Sequence, residues 1–201
     1  MTNDDLAVAL ARAQRGDDES FREVYRTIQP SLLRYLRILV GDDAEDVASE
    51  AWLQIARDLR TFRGTADAFR GWCATIGRNR AMDHLRRRRT RPVAGDTPVE
   101  MLVDLPAPDD TAGAAVELVD GNAALALIAT LPRDQAEAVM LRVIVGLDAE
   151  TAAAVLGKRA GAVRTAAHRG LKNLAKQLGT QVRTIDDGVT SPDMPALKDM
   201  R

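Results

Sequence analysis

The chain has little of the chemistry on which enzymes and secreted domains commonly depend. Cys73 is the only cysteine among 201 residues, which excludes an internal disulfide and a zinc site built from cysteines. The two histidines, His84 and His168, stand apart, and no serine–histidine or cysteine–histidine grouping suggests a nucleophilic enzyme. We therefore expect no catalytic activity, no cofactor and no metal site.

Long hydrophobic runs are also missing. No apolar stretch approaches the ~20 residues that a membrane-spanning helix needs. The opening MTNDDLAVALARAQRGD is acidic and lacks the basic start and apolar run of a secretory signal, so we expect a cytoplasmic protein. Only 3% of the residues are aromatic, whereas 46% are hydrophobic and mostly alanine or leucine. This composition favours an all-α fold, which we expect to be two small helical domains joined by an extended linker.

Charge is nearly balanced over the whole chain, with a formal net charge of −1, but it is unevenly distributed. Residues 76–91 contain seven arginines and one aspartate, and residues 158–176 contain six basic side chains and no acidic one. Residues 1–59 and 92–116 are both net acidic. Two local basic segments in a near-neutral chain favour localised contacts with nucleic acid over a generally basic surface.

Helical periodicity runs through residues 1–91, which we predict to be the first domain. The residues expected to end, cap or interrupt its helices are Gly16, Asp18 or Ser20, Pro30, and Asp42 or Asp43. Pro30 would begin a third helix or kink a continuous one. Thr61–Asp67 is predicted to be a polar loop that leads into an arginine-rich helix.

The arginine-rich helix is predicted over residues 69–89, FRGWCATIGRNRAMDHLRRRR. Phe69, Trp72, Cys73 and Ile76 share one face, which predicts that Cys73 is buried and favours core packing of Trp72 over base stacking. Past Gly77 the apolar positions move round to Ala81, Met82 and Leu85. The opposite arc holds Asn79, Arg80, Asp83, Arg86 and Arg87. That arc fits a polyanion with groups that could touch bases, or a solvated face with local ion pairs.

Residues 92–115 are predicted to be a linker, because they contain four prolines and five acidic side chains but no basic one. A linker of about 25 residues spans roughly 28 Å when relaxed and on the order of 85 Å when extended. Two turns of duplex DNA cover roughly 70 Å. If the flanking domains bind two DNA sites, an outside scaffold must hold the linker extended; the alternative is a disordered acidic tether.

Residues 116–180 are predicted to form a second helical domain, and residues 181–201 a disordered tail. Within that domain Asp148 or Thr151 can cap a short helix, and Gly157 supplies a tight turn to the next. Its predicted buried stripe is Val163, Ala167, Leu171, Leu174 and Leu178. The remaining surface holds Arg159, Arg164, Thr165, His168, Arg169 and Lys172. This pattern is typical of a helix-turn-helix with its recognition helix in the major groove, or of a surface helix with a solvated basic face.

Four stretches in this order resemble the extracytoplasmic-function group of bacterial sigma factors. ARAQRGDDESFREVY (11–25) resembles the opening helix of that group, and DDAEDVASEAWLQI (42–55) its polymerase-binding segment. The arginine-rich helix (69–89) resembles its −10 reading helix, and residues 127–174 its −35 domain. Together these stretches span most of the chain apart from the linker and tail.

The resemblance implies a subunit that docks on the β′ clamp and β flap of RNA polymerase core, recognises two promoter elements and promotes DNA melting. Its implied polymerase contacts are Glu45, Asp46, Glu50 and Gln54. Its implied −10 contacts are Arg63, Asn79, Arg80, Asp83, Arg86 and Arg87. Its implied −35 contacts are Arg159, Arg164, Thr165, His168, Arg169 and Lys172. Many relatives also bind an anti-sigma factor.

Other interpretations of the same residues stay open at the level of sequence. The chain could be a free-standing helix-turn-helix regulator that binds duplex DNA without polymerase, or an enzyme acting on nucleic acid. The acidic arc on residues 42–55 could be a solvated helix face. Asp42, Asp46 and Glu50, four residues apart, could also share a metal ion, although no second cluster or phosphate loop accompanies them.

Overall fold

The computed structural model describes residues 1–90 and 123–187, and for residues 179–187 the backbone alone. Every regular element in these ranges is helical, which confirms the predicted all-α class. No helix among the described residues has the length and apolar character needed to cross a membrane. The predicted linker (92–115), Arg91 and residues 188–201 lie outside the described residues.

The first domain is built from four helices around a shared apolar core. They are α1 (Asn3–Ala13), α2 (Asp18–Val40), α3 (Ala44–Asp58) and α4 (Ala66–Thr90), with short 3-10 turns at Gly41–Asp43 and Leu59–Thr61. Leu6, Tyr35, Ile55 and Phe69 are fully buried between the helices. Cys73 is also fully buried, as predicted, and burial raises the pKa of its thiol.

Local signals on α2 and α3 differ from the sequence prediction. The N-cap of α2 is Asp17, not Asp18 or Ser20, because the Asp17 carboxylate accepts hydrogen bonds from the backbone N–H groups of Glu19 and Ser20. Pro30 lies inside α2, in agreement with the predicted alternative of one continuous helix. The apolar stripe continues from Val24 before it to Leu36 after it, so packing keeps one helix despite the lost backbone donor. Asp43 precedes α3 but makes no side-chain cap.

The second domain contains the remaining helices. They are α5 (123–129), α6 (Arg133–Val139), a π-helical turn (Met140–Ile144), α7 (Ala149–Leu156) and α8 (Ala160–Asp187). The Asp148 carboxylate accepts a hydrogen bond from the Thr151 N–H at 2.7 Å, which confirms Asp148 as the cap of α7. Gly157 ends α7 with φ of 63°, a left-handed conformation that glycine adopts without a steric penalty.

Helix α8 buries part of the predicted stripe: Val163 and Ala167 are buried and Leu174 packs against the core, as predicted. Leu171 and Leu178 are 46% and 48% exposed, so their assignment to the core was wrong. Gly170 is buried in their place, with α6 so close that a Cβ at this position would lie 2.7 Å from Val139 Cγ2. The missing side chain lets α6 approach α8 here, and this turns the buried face away from Leu171. The backbone of α8 also stays helical to Asp187, inside the segment that was predicted to be disordered from residue 181.

The two domains pack against each other. Helix α7 lies on α4, and α2 contacts both α6 and the π-helical turn. Buried side chains from both domains form one continuous apolar core. Glu137 of α6 lies inside this contact with 4% of its surface exposed. The helix-turn-helix therefore rests on the first domain through α7, and the basic side chains of α8 are exposed.

Candidate nucleic-acid interface

The α4 polar face, formed by Asn79, Arg80, Asp83, Arg86 and Arg87, lies on the surface next to α3. Asn79, Asp83, Arg86 and Arg87 are exposed, while Arg80 is half-buried. Arg86 Nη1 lies 3.3 Å from Asp83 Oδ1 one turn earlier. Arg87 Nη2 lies 3.2 Å from Glu50 Oε2 on α3. Part of the basic charge on this face is therefore balanced by carboxylates of the same domain.

Arg80 is held by a residue of the predicted polymerase-binding set. Its Nε and Nη2 donate to Gln54 Oε1 at 3.1 and 2.7 Å. Both ends of this contact are half-buried, and the two hydrogen bonds fix the guanidinium plane against α3. The structure thus brings the predicted −10 and polymerase residues together along the α3–α4 contact.

The end of α4 is anchored on Asp43. The carboxylate Oδ2 of Asp43 lies 2.9 Å from His84 Nε2 and 2.6 Å from Arg88 Nη1. These contacts explain why Asp43 is not a helix cap, since its side chain turns toward α4. No ion pair joins Arg89 to a carboxylate in the described part of the chain, so Arg88 and Arg89 differ in their electrostatic surroundings.

Arg63 lies in the loop between the second 3-10 turn and α4. Its Nη1 donates to the backbone carbonyls of Arg60 and Phe62, each at 2.8 Å. Phe62 packs its ring against Phe69 and half-buried Trp72, with centroid separations of 5.2 Å in both cases. Trp72 therefore belongs to the packing of this loop, as the sequence favoured.

Gln14, the residue directly after α1, fixes the same loop from the other side. Its Nε2 donates to the carbonyls of Leu59 and Phe62 at 3.1 and 2.9 Å. Gly64 permits the close turn, since a Cβ there would lie 2.9 Å from Phe62 Cζ. The loop that precedes the α4 polar face is consequently a fixed surface.

The α3 acidic face consists of Glu45, Asp46, Glu50 and Gln54. Glu45 and Asp46 are exposed, and Glu45 pairs with Arg37 of α2 at 3.5 Å. No group of three or more metal-ligating side chains lies together in the parts of the chain that the structure describes. The acidic side chains are thus arranged along a helix surface.

Leu53 is an exposed apolar residue on the same side of α3, and sequence analysis missed it. It is 74% exposed, and it lies three and seven residues after Glu50 and Asp46, which places it on their face. The signal was present in the sequence: Leu53 falls outside the stripe that begins with Val47 and Ala51 and buries α3.

The α8 basic face consists of Arg159, directly before α8, and of Arg164, Thr165, His168, Arg169 and Lys172 on the helix. All six side chains are exposed. Thr165 Oγ1 donates to the carbonyl of Gly161 at 3.0 Å. Among the described residues no ion pair joins Arg159, Arg164, Arg169 or Lys172 to a carboxylate. This face therefore presents uncompensated positive charge, in contrast to the α4 polar face.

Two family models match separate parts of the chain. Residues 24–91 match the family model of sigma-70 region 2, and residues 121–174 that of sigma-70 region 4. The chain is 34% identical over 185 residues to the ECF RNA polymerase sigma factor SigD of Mycobacterium tuberculosis, covering 89% of this chain and 86% of that protein. It is 33% identical over 179 residues to the ECF RNA polymerase sigma factor ShbA of Streptomyces griseus, covering 84% and 93%. The chain belongs to the extracytoplasmic-function sigma factors.

Solved structures of similar fold include two complexes. CnrH, solved with the cytosolic domain of CnrY, gives a TM-score of 0.57 at 24% identity over 88% of this chain and 98% of that chain. The sigma factor RpoE of Bartonella quintana, solved with the anti-sigma factor NepR, gives 0.59 at 21% identity over 80% and 98%. These similarities concern the fold.

In this sigma factor the region 2 match contains α3 and α4, and so both the α3 acidic face and the α4 polar face. The region 4 match contains the helix-turn-helix with the α8 basic face. Sequence analysis missed the polar contact between these regions, formed by Tyr35, Arg78 and Glu137. The available signal was Glu137 itself, a lone acidic residue within the apolar run AEAVM.

Proposed function

We propose that this sigma factor binds RNA polymerase core through α3, reads a −10 element with α4, and reads a −35 element with α8. The observation that carries the proposal is the pair of basic helix faces on separate domains, one of them with exposed and uncompensated charge. A regulator that binds duplex DNA by itself needs the α8 basic face alone. The α4 polar face, which lies beside the acidic helix α3, is explained if the protein is a subunit that works with polymerase.

Contact with polymerase core is proposed for Glu45, Asp46, Glu50 and Gln54. The exposed carboxylates of this face attract a basic partner surface and orient its approach. We add Leu53 as the apolar anchor, because its exposed side chain has contact area to lose to a partner. The β′ clamp is the proposed partner surface, and the β flap is proposed to receive the second domain.

Promoter opening is proposed to depend on Asn79, Arg80 and Asp83, with Arg63 and its loop beside them. Capturing unpaired bases offsets an unstacking cost of a few kcal/mol per base, without any hydrolysis. The fixed loop geometry set by Gln14 supports this role, since a fixed loop loses little freedom when a base binds. Arg86 and Arg87 are proposed to contact the backbone and neighbouring bases.

The −35 contacts are proposed for Arg159, Arg164, Thr165, His168, Arg169 and Lys172. Early residues of a recognition helix enter the major groove, and later basic side chains reach phosphates. Arg164 and Thr165 lie one turn into α8 and suit base contact. Exposure of the whole α8 basic face supports this assignment.

We further propose that the protein acts in the cytoplasm and catalyses no reaction itself. Its domains are residues 1–91 and 116–180, and residues 92–115 cross the polymerase held in an extended form. An anti-sigma factor is a further proposed partner, because RpoE, which has a similar fold, was solved in complex with an anti-sigma factor.

One experiment separates this function from that of a free-standing regulator. The purified protein is mixed with polymerase core and a pool of genomic promoter fragments, and transcripts are mapped. We expect core-dependent initiation and little duplex binding without core. Specific duplex binding without core, and no initiation with it, would support the regulator.

Matched variants test the individual assignments in the same assay. Arg164→Ala with Arg169→Ala removes exposed charge from the α8 basic face, and we expect initiation to be lost. Arg22→Ala with Arg26→Ala removes two exposed arginines of α2 that pair with Glu19, and serves as the control.

Deleting residues 96–106 should abolish initiation by the holoenzyme if the linker is needed inside polymerase. Unchanged initiation would contradict the role given to the linker.

A further inference from the structure

A groove of about 300 Å³ lies where α2 and the end of α4 meet α5 and α6. Its walls are largely apolar: Leu39, Leu125 and Leu131 are buried there, while Ile38 and Leu85 are half-buried. The two half-buried side chains keep apolar surface that a bound segment could cover. Pockets for small ligands measure about 300–1,000 Å³. The groove consequently has room for a few side chains of a peptide segment.

The border of the groove carries three arginines, one each from α2, α4 and α6: Arg37, Arg89 and Arg133. Arg37 lies 3.5 Å from Glu45, and Arg133 lies 3.0 Å from Glu137. Arg78 also binds Glu137, at 2.7 Å, so two arginines share the charge of that carboxylate. No ion pair joins Arg89 to a carboxylate among the residues that the structure describes. Four arginines thus face two carboxylates, and the surplus positive charge suits an acidic partner.

The chain contains a segment of this character within residues 91–122, which lie outside the described residues. That stretch has seven acidic side chains and one basic side chain, Arg91. Within it, residues 99–105 read VEMLVDL and contain five apolar and two acidic side chains. Residues 116–119, VELV, form a shorter apolar run with one acidic side chain. Spacers that stay in water are typically poor in large apolar side chains, so residues 99–105 are a candidate for binding a surface.

The order of side chains in residues 99–105 matches the groove. Pro98 and Pro106 flank the segment, and a residue that precedes proline favours an extended backbone. In an extended chain alternate side chains share one side, and the four that alternate here are all apolar: Val99, Met101, Val103 and Leu105. Glu100 and Asp104 belong to the other side. An apolar row beside two carboxylates is complementary to an apolar groove bordered by arginines.

Both ends of the stretch lie close to the groove. Arg89 borders the groove one residue before the described chain stops at Thr90, and Leu125 lines it two residues after the chain resumes at Ala123. An extended chain covers up to about 3.3–3.6 Å per residue, so Val99 can lie roughly 30 Å from Thr90. The segment can therefore reach the groove without strain. Because a tethered segment has an effective concentration in the millimolar range, even a weak contact is occupied.

We propose that this groove binds residues 99–105 of the same chain when the protein is free of polymerase. The apolar row covers Ile38 and Leu85, and the two carboxylates lie against the arginines at the border. An acidic side chain held beside Arg89 weakens the attraction of that arginine for DNA phosphates. The contact forms within the free chain, so the proposal goes beyond the two-element function proposed above and does not depend on it.

Photo-crosslinking in the full-length chain without polymerase tests this contact. The photoreactive residue p-benzoylphenylalanine replaces Met101, whose side chain belongs to the apolar row. Crosslinked peptides are then identified by mass spectrometry. We expect crosslinks within one chain to the walls of the groove, at Ile38, Leu85 and Leu125.

Three results of this mapping would overturn the proposal. Crosslinks concentrated at Leu171 and Leu178, the exposed leucines of α8, would place the segment on another surface. Crosslinks between two chains alone, seen as a dimer on a denaturing gel, would make the occupant a second copy. A higher yield at the groove from the photoreactive residue at Leu118 would make residues 116–119 the occupant.

Substitutions in the segment test whether its apolar row carries the contact. In the chain with the photoreactive residue at position 101, Val103→Asp with Leu105→Asp removes half of the row and should lower the crosslinking yield at the groove several-fold. Val116→Asp with Leu118→Asp makes the same change in the shorter run, and this matched control should leave the yield unchanged. Equal yields from the two double variants would refute the apolar contact.

An exchange of charges tests the border of the groove. Arg89→Glu should lower the yield several-fold, because it repels Glu100 and Asp104. Adding Glu100→Arg and Asp104→Arg should recover part of the lost yield, which a purely structural role of Arg89 would not produce. Circular dichroism establishes that each variant is folded, and the segment variants decide the proposal if Arg89→Glu does not fold. No recovery in a folded triple variant would refute the charge pairing.

Discussion

Arg80 on α4 and Gln54 on α3 are joined by two hydrogen bonds through one amide oxygen. The first residue belongs to the proposed −10 contacts and the second to the proposed polymerase contacts. The side chain that we propose reads DNA is thus oriented by a residue on the helix that we propose docks on polymerase. Binding of core to the α3 acidic face would act directly on the position of Arg80.

This pair predicts non-additive effects on initiation. If Gln54 acts by orienting Arg80, then Gln54→Ala with Arg80→Ala should initiate no worse than Arg80→Ala alone. A hydrogen bond to a charged group contributes about 1.5–3 kcal/mol, so Gln54→Ala alone should slow open-complex formation measurably. The measurement is the rate of promoter opening with saturating core. Additive losses would show that the two residues act separately.

Arg88 and Arg89 should differ in their effect on DNA binding by the holoenzyme. Arg88 already pairs with Asp43 at 2.6 Å, whereas no such pair involves Arg89 in the described residues. Each phosphate contact contributes about 0.9 to the slope of log affinity against log salt. We expect Arg89→Ala to flatten this slope more than Arg88→Ala, equally across promoter sequences. A sharp loss at one promoter class would contradict a phosphate role for Arg89.

Leu53→Ala should weaken binding to polymerase core with little change in stability. The side chain is 74% exposed in the free protein, so the free energy of unfolding depends little on it. Burying a leucine at an interface contributes roughly 1.5–3 kcal/mol, which corresponds to a loss of about tenfold or more in affinity. Fluorescence anisotropy with labelled protein measures this. Val8→Ala on α1, where the side chain is 53% exposed, is the matched control.

Two glycines of α8 should respond oppositely to alanine. A Cβ at Gly170 would lie 2.7 Å from Val139 Cγ2 and 3.3 Å from Leu131 Cδ1, whereas a Cβ at Gly161 would meet nothing within 4 Å. Overpacking should make Gly170→Ala destabilising by about 1–3 kcal/mol. Gly161→Ala should stabilise the helix by roughly 0.5–1 kcal/mol. Urea unfolding gives both values, and equal effects would contradict the close α6–α8 contact.

The cap of α7 should contribute to stability in a pH-dependent way. Hydrogen bonding from the Thr151 N–H lowers the pKa of Asp148 below its usual value. Because the folded pKa is the lower one, the carboxylate stabilises the fold above the usual aspartate range near pH 4, and this contribution is lost as pH falls through the folded pKa. Asp148→Asn keeps a capping oxygen but not the charge. Its unfolding midpoint should therefore approach that of the unaltered protein as pH falls from about 7 to about 3.

Sequence patterns predicted the helical class, the capped helix-turn-helix and the surface positions of its basic residues. These features depend on local periodicity and on single side chains such as Asp148 and Gly157, which act within one turn of the chain. The predictions failed where packing between helices decides which residues are buried. Leu171 fits a helical stripe, but only the close approach of α6 at Gly170 determines which face is buried.

The pairing of charged residues could also not be predicted from the sequence. Nothing near Arg80 in the chain points to Gln54, and nothing near Arg78 points to Glu137. Both contacts form where helices that are distant in sequence cross. The periodicity of residues within one helix does not predict such a crossing. The sequence predicted which polar residues share a helix face, while the structure shows which residues of other helices they contact.

The two hydrogen bonds from Gln14 to the loop before α4 have a consequence for work with isolated domains. The sigma-70 region 2 match begins at residue 24, which is inside α2 and after the whole of α1. An expression fragment cut at that boundary would divide a helix and remove the side chain that holds the carbonyls of Leu59 and Phe62. A functional fragment for promoter-melting assays should therefore retain the chain from Met1.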